Sequence, residues 1–444
     1  MTWLPADTDI ILSGALCAVA CSIPGTLLVL RKMSMMGDAI SHTVLPGLAA
    51  AFLITQTRAP IPMFIGAAVI GLITALLVQW VRDLSKTDGG TAMGIVFTAL
   101  FAVGLVLLRL PAIEHIDLDP SCVLYGAVET SAIDPITVLG IEMPRAALIN
   151  GVMFVINLGV LILLFKEFRI SAFDPALATT VGINATLMHY ILMTMTAVTA
   201  VAAFETVGSI LVIAMLIVPP AAAYLLTDRF TVMFVLAGII GVASAAGGHI
   251  AAIVIPEWLG VGDTVTSGMM AVAAGALFTL AWLAAPRHGI VSRLLSRWRL
   301  SLRIMREDIL GIVYRAHEQS DRPDHSPAAA NQAIDRSRRL HPIIARLAMI
   351  LLRRRGLLSG SLPTLALTDQ GRAEAERLVR SHRLWETYFS HQFPTLPADH
   401  LHGSAEVLEH LTDDALRDRL GRYTNQPSID PHGRAIPRSS SSGS

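Results

Sequence analysis

The chain has 444 residues, of which 53% are hydrophobic and 15% are charged, and its mean hydropathy is +0.58. This composition excludes an ordinary soluble protein and indicates a membrane protein. The net charge of zero conceals an asymmetry, because residues 1–285 carry 10 basic and 17 acidic side chains. Residues 286–444 carry 24 basic side chains, all arginine, against 17 acidic ones. The sequence therefore predicts an apolar membrane domain that ends near Pro286 and a polar domain after it.

Apolar runs long enough to cross a bilayer recur through the membrane domain. Basic residues cluster in alternate connections between them, which predicts an external N-terminus and a cytoplasmic C-terminal domain. Nine spans fit this pattern. A total of eight spans is also possible, because Glu205 and Thr206 form the one polar break between residues 187 and 226. The expected class is an all-α, multi-pass membrane protein. The runs lie at residues 9–30, 39–55, 64–81, 91–110, 148–165, 187–204, 207–226, 230–253 and 268–285.

Asp38 and His42 are the most informative polar residues of the membrane domain. They stand four apart in the sequence, so on a helix they share one face. A carboxylate and an imidazole in this arrangement suit a divalent cation, and ionisable groups at membrane depth usually line a pathway. Glu205 has two interpretations. It is either part of a hairpin at the membrane interface or a buried carboxylate that lines the pathway.

Tandem prolines interrupt the seventh apolar run. Proline lacks a backbone N–H donor and clashes with the preceding turn, so Pro219 and Pro220 predict a broken helix. The segment that follows, through Tyr224, would then form a short helix along the cytoplasmic surface and contact a partner.

Several motifs of residues 9–285 resemble the permease subunits of ABC-3 type manganese, zinc and iron importers. The resemblance implies an all-helical subunit that pairs with a second permease subunit and takes metal from an extracytoplasmic binding protein. It also implies a separate ATP-binding subunit as the source of energy. The motifs are residues 31–47, 117–119, 124–126, 173–175 and 203–220.

The same resemblance assigns roles to individual residues. Asp38 and His42 would hold the ion in transit. Glu205 is a third candidate because of its position at membrane depth rather than because of the resemblance. Pro219, Pro220 and Tyr224 would couple the permease to the ATPase. The sequence itself contains no G-x-x-x-x-G-K-[ST] phosphate loop, so we expect a transport subunit that is not itself an enzyme.

The polar domain begins with six arginines among apolar residues between 287 and 306, which predicts a basic amphipathic helix on the lipid surface. A linker follows, and two later helices carry carboxylates and imidazoles on one face. Such faces are often merely solvated, but two of them together could close a site for a divalent cation. The spacings that suggest it are His382 with Glu386, and His402 with Glu406, Glu409 and His410.

Residues 304–318 and 341–437 resemble the diphtheria-toxin-repressor type of metal-dependent regulator. The resemblance implies that His382, Glu406, Glu409 and His410 are metal ligands, that Asp308 is a ligand from the first helix, and that Glu386 and His402 belong to a second site. Gly311 replaces an expected carboxylate, and the region that would read DNA, about residues 328–341, is rich in alanine. DNA binding is therefore doubtful.

The ligand at position 406 bears on the choice of metal. Iron-type regulators use a soft cysteine there and manganese-type regulators a carboxylate, so Glu406 favours Mn²⁺ over Zn²⁺ or Fe²⁺ as regulatory ligand. The membrane site accepts any of the three as transported ion.

The sequence thus predicts a permease subunit of an ATP-driven importer of divalent metals, fused to a metal-sensing domain. Two alternatives stay open, a membrane-tethered transcription regulator and an ion-driven secondary transporter. The predicted segments are a transmembrane domain at 1–286, an amphipathic helix and linker at 287–330, a degenerate winged-helix-like region at 331–375, a metal-binding and dimerisation domain at 376–437, and a disordered tail at 438–444.

Overall fold

A computed structural model of the chain describes residues 3–57, 60–109, 128–138, 140–260, 264–286, 289–320, 342–360, 365–395 and 397–438. The chain divides into two compact units, Met1–Arg293 and Leu294–Ser444. Parts of several sequence predictions lie outside the described residues. These are the motifs at 117–119 and 124–126, most of the linker, the region at 328–341 and residues 439–444 of the tail.

The first unit is a bundle of long apolar helices. Eight of the helices in its described residues are long and apolar enough to cross a membrane, and α2 carries a shorter apolar stretch, Leu45–Thr55. The fold class, an all-α membrane domain of eight or nine spans, is therefore confirmed. The helices are α1 (Pro5–Leu30), α2 (Met36–Thr55), α3 (Pro60–Ser85), α4 (Gly89–Leu108), α5 (Arg145–Leu163), α6 (Phe165–Phe173), α7 (Pro175–Thr180), α8 (Ala185–Val207), α9 (Ser209–Leu226), α10 (Phe230–Leu259) and α11 (Thr266–Ala284).

Short elements connect these helices. A 3₁₀ turn at Val128–Ala132 precedes a two-stranded antiparallel hairpin, β1 (Pro135–Val138) and β2 (Ile141–Pro144). The side chain of Asp174 caps α7 by accepting from the N–H groups of Ala176 and Leu177, next to a proline that needs no partner at the first helical position.

Gly208 separates α8 from α9. Its φ of +85° lies in a region that residues with a Cβ rarely adopt, and it ends α8 while it begins α9. The apolar sequence between residues 187 and 226 is therefore two helices rather than one long one.

The tandem prolines do not break α9. The helix runs without interruption from Ser209 to Leu226, and Pro219 and Pro220 are both buried inside it. The prediction of a broken helix and of a surface segment at Pro219 and Pro220 is therefore wrong. Apolar packing on several sides fixes the helix even though Pro220 cannot donate to the carbonyl of Leu216.

A polar side chain replaces a backbone hydrogen bond that a proline removes from α1. Pro24 cannot donate to the carbonyl of Ala20, and Asn157 Nδ2 of α5 donates to this oxygen over 3.1 Å. The same amide nitrogen donates to Thr199 Oγ1 of α8 over 2.8 Å. Asn157 is 1% exposed, so it joins three helices at one buried point.

Replacing Asn157 by leucine is expected to destabilise the membrane domain by about 1–3 kcal/mol, because the buried carbonyl of Ala20 loses its donor. The measurement is the apparent melting temperature of the purified chain in detergent. Thr279→Val is the matched control, because Thr279 Oγ1 donates only within its own exposed helix, to Gly275. Equal melting temperatures for the two variants would contradict this role of Asn157.

The second unit is mostly helical, with one short ladder of two-residue strands. Its elements are α12 (Ile290–Ser320, which starts four residues before the unit), α13 (Pro342–Arg354), β3 (Leu358–Ser359), β4 (Ala366–Leu367), α14 (Asp369–Gln392), α15 (Ala398–Glu409) and α16 (Asp414–Tyr423). Thr368 caps α14, since its Oγ1 accepts from the N–H of Gly371. The expected amphipathic helix is thus the first part of a 31-residue helix that continues into the polar domain.

Arg383 of α14 holds the second unit together. Its guanidinium is 2% exposed and donates to both carboxylate oxygens of Glu318, at 3.0 and 2.5 Å. It also donates to the carbonyl of Ala435 and lies 3.5 Å from Asp430 Oδ2. One buried cation therefore joins α12, α14 and the C-terminal segment.

Candidate metal centres and the membrane site

The structure places the predicted transport residues on two helices. Asp38 and His42 lie in the first two turns of α2, one helical turn apart, and Glu205 lies near the end of α8. Their side chains lie outside the described part of the chain. The role of these three residues in transport therefore stays a prediction.

The backbone around Asp38 is tightly packed. A Cβ at Gly37 would overlap Cδ2 of Leu216, so α9 contacts the first turn of α2 beside Asp38. Further along α2, Gly47 faces Gly66 of α3, and a Cβ on either would overlap the backbone oxygen of the other. Any displacement of α9 therefore acts directly on the turn that carries Asp38.

One end of the membrane unit gathers elements that the sequence predicts to be cytoplasmic. Arg31, after α1, donates to Ser171 Oγ of α6 over 2.9 Å. The rings of Phe165 and Phe173, at the two ends of α6, lie 5.3 and 6.1 Å from that of Phe230 at the start of α10. Tyr224 lies near the end of α9, just before the short connection to α10, and is 49% exposed.

In the second unit, three predicted ligands form one acidic group. Donor atoms of Asp308, Glu409 and His410 lie within 4.8 Å of one another. His410 Nε2 is 3.2 Å from Asp308 Oδ1 and 3.8 Å from Glu409 Oε1. On the other side of the ring, His410 Nδ1 lies 2.7 Å from Glu307 Oε2, a contact that the sequence analysis missed although Glu307 adjoins Asp308.

Three other predicted ligands form an imidazole-rich group. Glu386 Oε1 lies 3.1 Å from His382 Nε2 and 2.9 Å from His402 Nδ1, and the two nitrogens are 2.9 Å apart. Two metal–ligand bonds of about 2.1 Å that meet at a right angle place their donor atoms about 3 Å apart. The triangle therefore has a size that is compatible with three ligands of one ion.

The two groups meet at a buried contact that tests whether a metal fits. His382 Nδ1 and Glu409 Oε2 approach to 2.6 Å, yet neither atom has a partner with the geometry of a hydrogen bond. Both residues are 4% exposed. A common cation would satisfy two buried atoms that converge without hydrogen-bond geometry, so the residues present fit a divalent metal.

The protonation of these groups reflects the same concentration of carboxylates. Burial lowers the pKa of His410, but contacts with Asp308 and Glu307 outweigh burial and raise it to about 10. Burial likewise lowers the pKa of His382, while Glu386 and Glu409 raise it above its ordinary value. Burial raises the pKa of Glu386, but the hydrogen bonds from His382 and His402 lower it far below the usual range. The negative potential at both groups thus favours any cation, a proton or a metal ion.

Glu406 does not join either group. It lies on α15 with Glu409 but is exposed, so this geometry does not support the sequence argument that position 406 selects the metal. A third group, Glu386 with Asp430 and His432, was missed by the sequence analysis. Asp430 already accepts from two backbone N–H groups and lies beside Arg383, which disfavours a second cation there.

Comparison with known proteins identifies both units. Residues 8–285 match the model of the ABC 3 transport family. The chain belongs to this family. Residues 368–438 match the iron dependent repressor, metal binding and dimerisation domain. The protein is thus a multi-pass ABC 3 permease that carries a C-terminal domain of the metal-dependent repressor type.

Individual relatives agree with this assignment. The chain is 43% identical over 286 residues to "Manganese transport system membrane protein MntD" of Bacillus subtilis, which covers 64% of this chain and 94% of the relative. It is 28% identical over 429 residues to "Manganese transport system membrane protein MntC" of the same organism, covering 95% of this chain and 93% of the relative.

A solved structure shares the membrane fold. "PsaBC from Streptococcus pneumoniae in complex with Fab" has 26% identity and a TM-score of 0.53, and the match covers 66% of this chain and 95% of that one.

The alignment with MntC covers nearly the full length of this ABC 3 permease and extends beyond the membrane unit. That relative therefore has residues aligned with both units.

Proposed function

We propose that this ABC 3 permease is the membrane subunit of an ATP-driven importer of divalent metal ions in a prokaryotic plasma membrane. In this proposal its C-terminal domain lies in the cytoplasm and senses the imported ion. The single observation that carries the proposal is the presence of two groups of metal-ligand side chains in a chain that belongs to a transport family. The names of its relatives, which transport manganese, support the same substrate class.

Manganese is the favoured ion. The acidic group offers oxygens of Asp308 and Glu409, and one imidazole from His410. Oxygen-rich ligand sets suit the hard Mn²⁺ ion better than they suit zinc, which readily takes nitrogen and sulfur. The imidazole-rich group at Glu386 accepts zinc and iron as well, so both remain candidates for the transported and sensed ion.

The proposed ATPase contact combines the α6–α7 segment with the end of α9. Pro219 and Pro220 are buried and cannot contact a partner, but Tyr224 is half exposed. On α7 and the residues around it, Phe173, Leu177 and Val181 expose 61%, 51% and 63% of their surfaces. These apolar side chains suit contact with a separate ATP-binding subunit, to which the proposal assigns ATP hydrolysis because the sequence contains no phosphate loop.

The structure offers a short route from that surface to the transport site. Tyr224 lies on α9, and Leu216, two turns earlier on the same helix, contacts the turn of α2 beside Asp38. A movement of α9 driven by ATP binding would therefore shift the helix that carries Asp38 and His42. Such a shift is the simplest way to open the site to one side of the membrane and then to the other.

The test is uptake of radiolabelled Mn²⁺ by cells that express the chain with its candidate ATPase, second permease subunit and metal-binding protein. Asp38→Ala and His42→Ala are each expected to lower uptake by at least about 10- to 100-fold, because loss of a direct ligand costs no less than loss of an outer one. Asp134→Ala is the control, because Asp134 is an exposed residue paired with Arg145.

The competing functions predict different results. Uptake that persists without the ATPase would support a secondary transporter, and uptake unchanged in both variants would remove the proposed transport site. Sequence-specific DNA binding by the full chain would support a membrane-tethered regulator. Unlabelled Mn²⁺, Zn²⁺ and Fe²⁺ as competitors would identify the ion.

A further inference from the structure

Glu307 contacts the face of His410 that points away from the other ligands. Its Oε2 lies 2.7 Å from His410 Nδ1, while His410 Nε2 faces Asp308 and Glu409. Glu307 and Asp308 are consecutive residues of α12, so two neighbouring carboxylates hold the two nitrogens of one imidazole. The ring is 8% exposed, so its orientation depends on these contacts.

Only one of the two carboxylates is placed to meet a metal ion. Asp308 Oδ1 belongs to the group of three donors that lie within 4.8 Å of one another, whereas Glu307 lies on the opposite side of the ring. A histidine that binds a metal through one nitrogen usually donates its other N–H to a carboxylate, which fixes the tautomer and makes the ligand more basic.

Glu307 is itself held in place. Its Oε1 accepts from Arg303 Nε over 2.9 Å, one turn earlier on α12. The hydrogen bond from Arg303 therefore fixes the carboxylate in the position that an orienting group needs.

We propose that Glu307 is a positioning residue for the metal centre of the C-terminal domain. It accepts the Nδ1–H of His410 and so presents Nε2 to the ion, between Asp308 and Glu409. This inference rests on the proposed sensing function of the domain. It adds a residue on α12 that acts through His410 rather than by touching the metal.

The first test is titration of the full chain in detergent with Mn²⁺, followed by electron paramagnetic resonance of the free ion. The His410-dependent part of the binding is obtained by subtracting the titration of His410→Ala. Glu307→Ala is expected to weaken this part about 10- to 100-fold. Glu307→Gln keeps an acceptor oxygen without the charge and is expected to fall between Glu307→Ala and the wild type.

A second measurement separates positioning from a general loss of structure. In ¹⁵N-histidine spectra of the full chain, the His410 signal is identified by its absence in His410→Ala. The wild type with Zn²⁺, a diamagnetic probe, is expected to show a protonated Nδ1 and a ligated Nε2, with a hydrogen-bonded proton that Glu307→Ala loses. Glu376→Gln, on the exposed part of α14, is the matched control.

The outcomes are distinct. Wild-type affinity in Glu307→Ala, or ligation of the wild type through Nδ1, would overturn the role of Glu307 and leave the sensing function standing. Binding that His410→Ala leaves unchanged would overturn both the sensing function and this inference. Loss of Mn²⁺ uptake in Asp38→Ala tests the transport function independently of either.

Discussion

Replacing His410 by alanine is expected to weaken binding of Mn²⁺ to the C-terminal domain by at least about 10- to 100-fold. His410 supplies the one imidazole of the acidic group, and its Nε2 faces both Asp308 and Glu409. Loss of a side chain that merely orients a ligand already costs about 10- to 100-fold, so loss of the ligand itself costs at least as much. Calorimetric titration of the full chain with Mn²⁺ measures the effect.

The same change should appear in stability. A ligand present at about 100 times its dissociation constant stabilises the folded state by about 2.7 kcal/mol. The Mn²⁺-induced rise in melting temperature of the wild type should therefore be smaller in His410→Ala. His400→Ala is the matched control, because His400 is an exposed histidine on α15. An undiminished rise in His410→Ala would remove the acidic group from the sensing site.

If the domain regulates transport, loss of its metal ligands also changes uptake by the cell. Uptake in the wild type should fall as internal Mn²⁺ accumulates, whereas the joint alanine variant of the four proposed ligands should continue to import at high internal metal. The four are His382, Glu406, Glu409 and His410. Because Glu406 is exposed, the single variant Glu406→Ala is expected to behave nearly as the wild type. Equal sensitivity of the wild type and the joint variant would contradict feedback.

Replacing Gly25 by alanine is expected to give the largest loss of stability in the membrane domain. A Cβ at Gly25 would overlap the carbonyl oxygen of Leu216 and lie 3.0 Å from Cγ of Pro220. Pro220 has no N–H to donate to that carbonyl. The close approach of α1 and α9 therefore lies where α9 lacks a backbone hydrogen bond. A clash with helix backbone cannot be relieved by a side-chain rotation, so we expect a cost of about 3 kcal/mol or more.

The effect is measured as yield and apparent melting temperature of the full chain in detergent. Gly159→Ala on α5 is the control, because a Cβ there would meet no heavy atom within 4 Å. The control should be neutral or slightly stabilising, since alanine is the better helix former. A Gly25→Ala protein as stable as the control would show that α1 and α9 can separate without loss of the fold.

The sequence alone determined the class of the protein. Length and spacing of the apolar runs decide whether a segment can cross a bilayer, and both are local properties of the chain. The spans and the change of composition near Pro286 could both be predicted for this reason. The resemblance of residues 9–285 to ABC-3 permeases added the family, which comparison confirmed.

The tertiary structure decided what depends on neighbours distant in sequence. Pro219 and Pro220 have a strong local tendency to break a helix, but packing against α1 and α2 overrides it. Asn157 carries no local signal of its role, because the carbonyl that it satisfies lies 137 residues away. In the metal-binding domain, spacing on each helix gave the candidate ligands, and only the packing of α12, α14 and α15 showed which ones meet. It brought Glu307 to His410 and left Glu406 exposed, because the face that a helix buries is set by its partners as well as by its own residues.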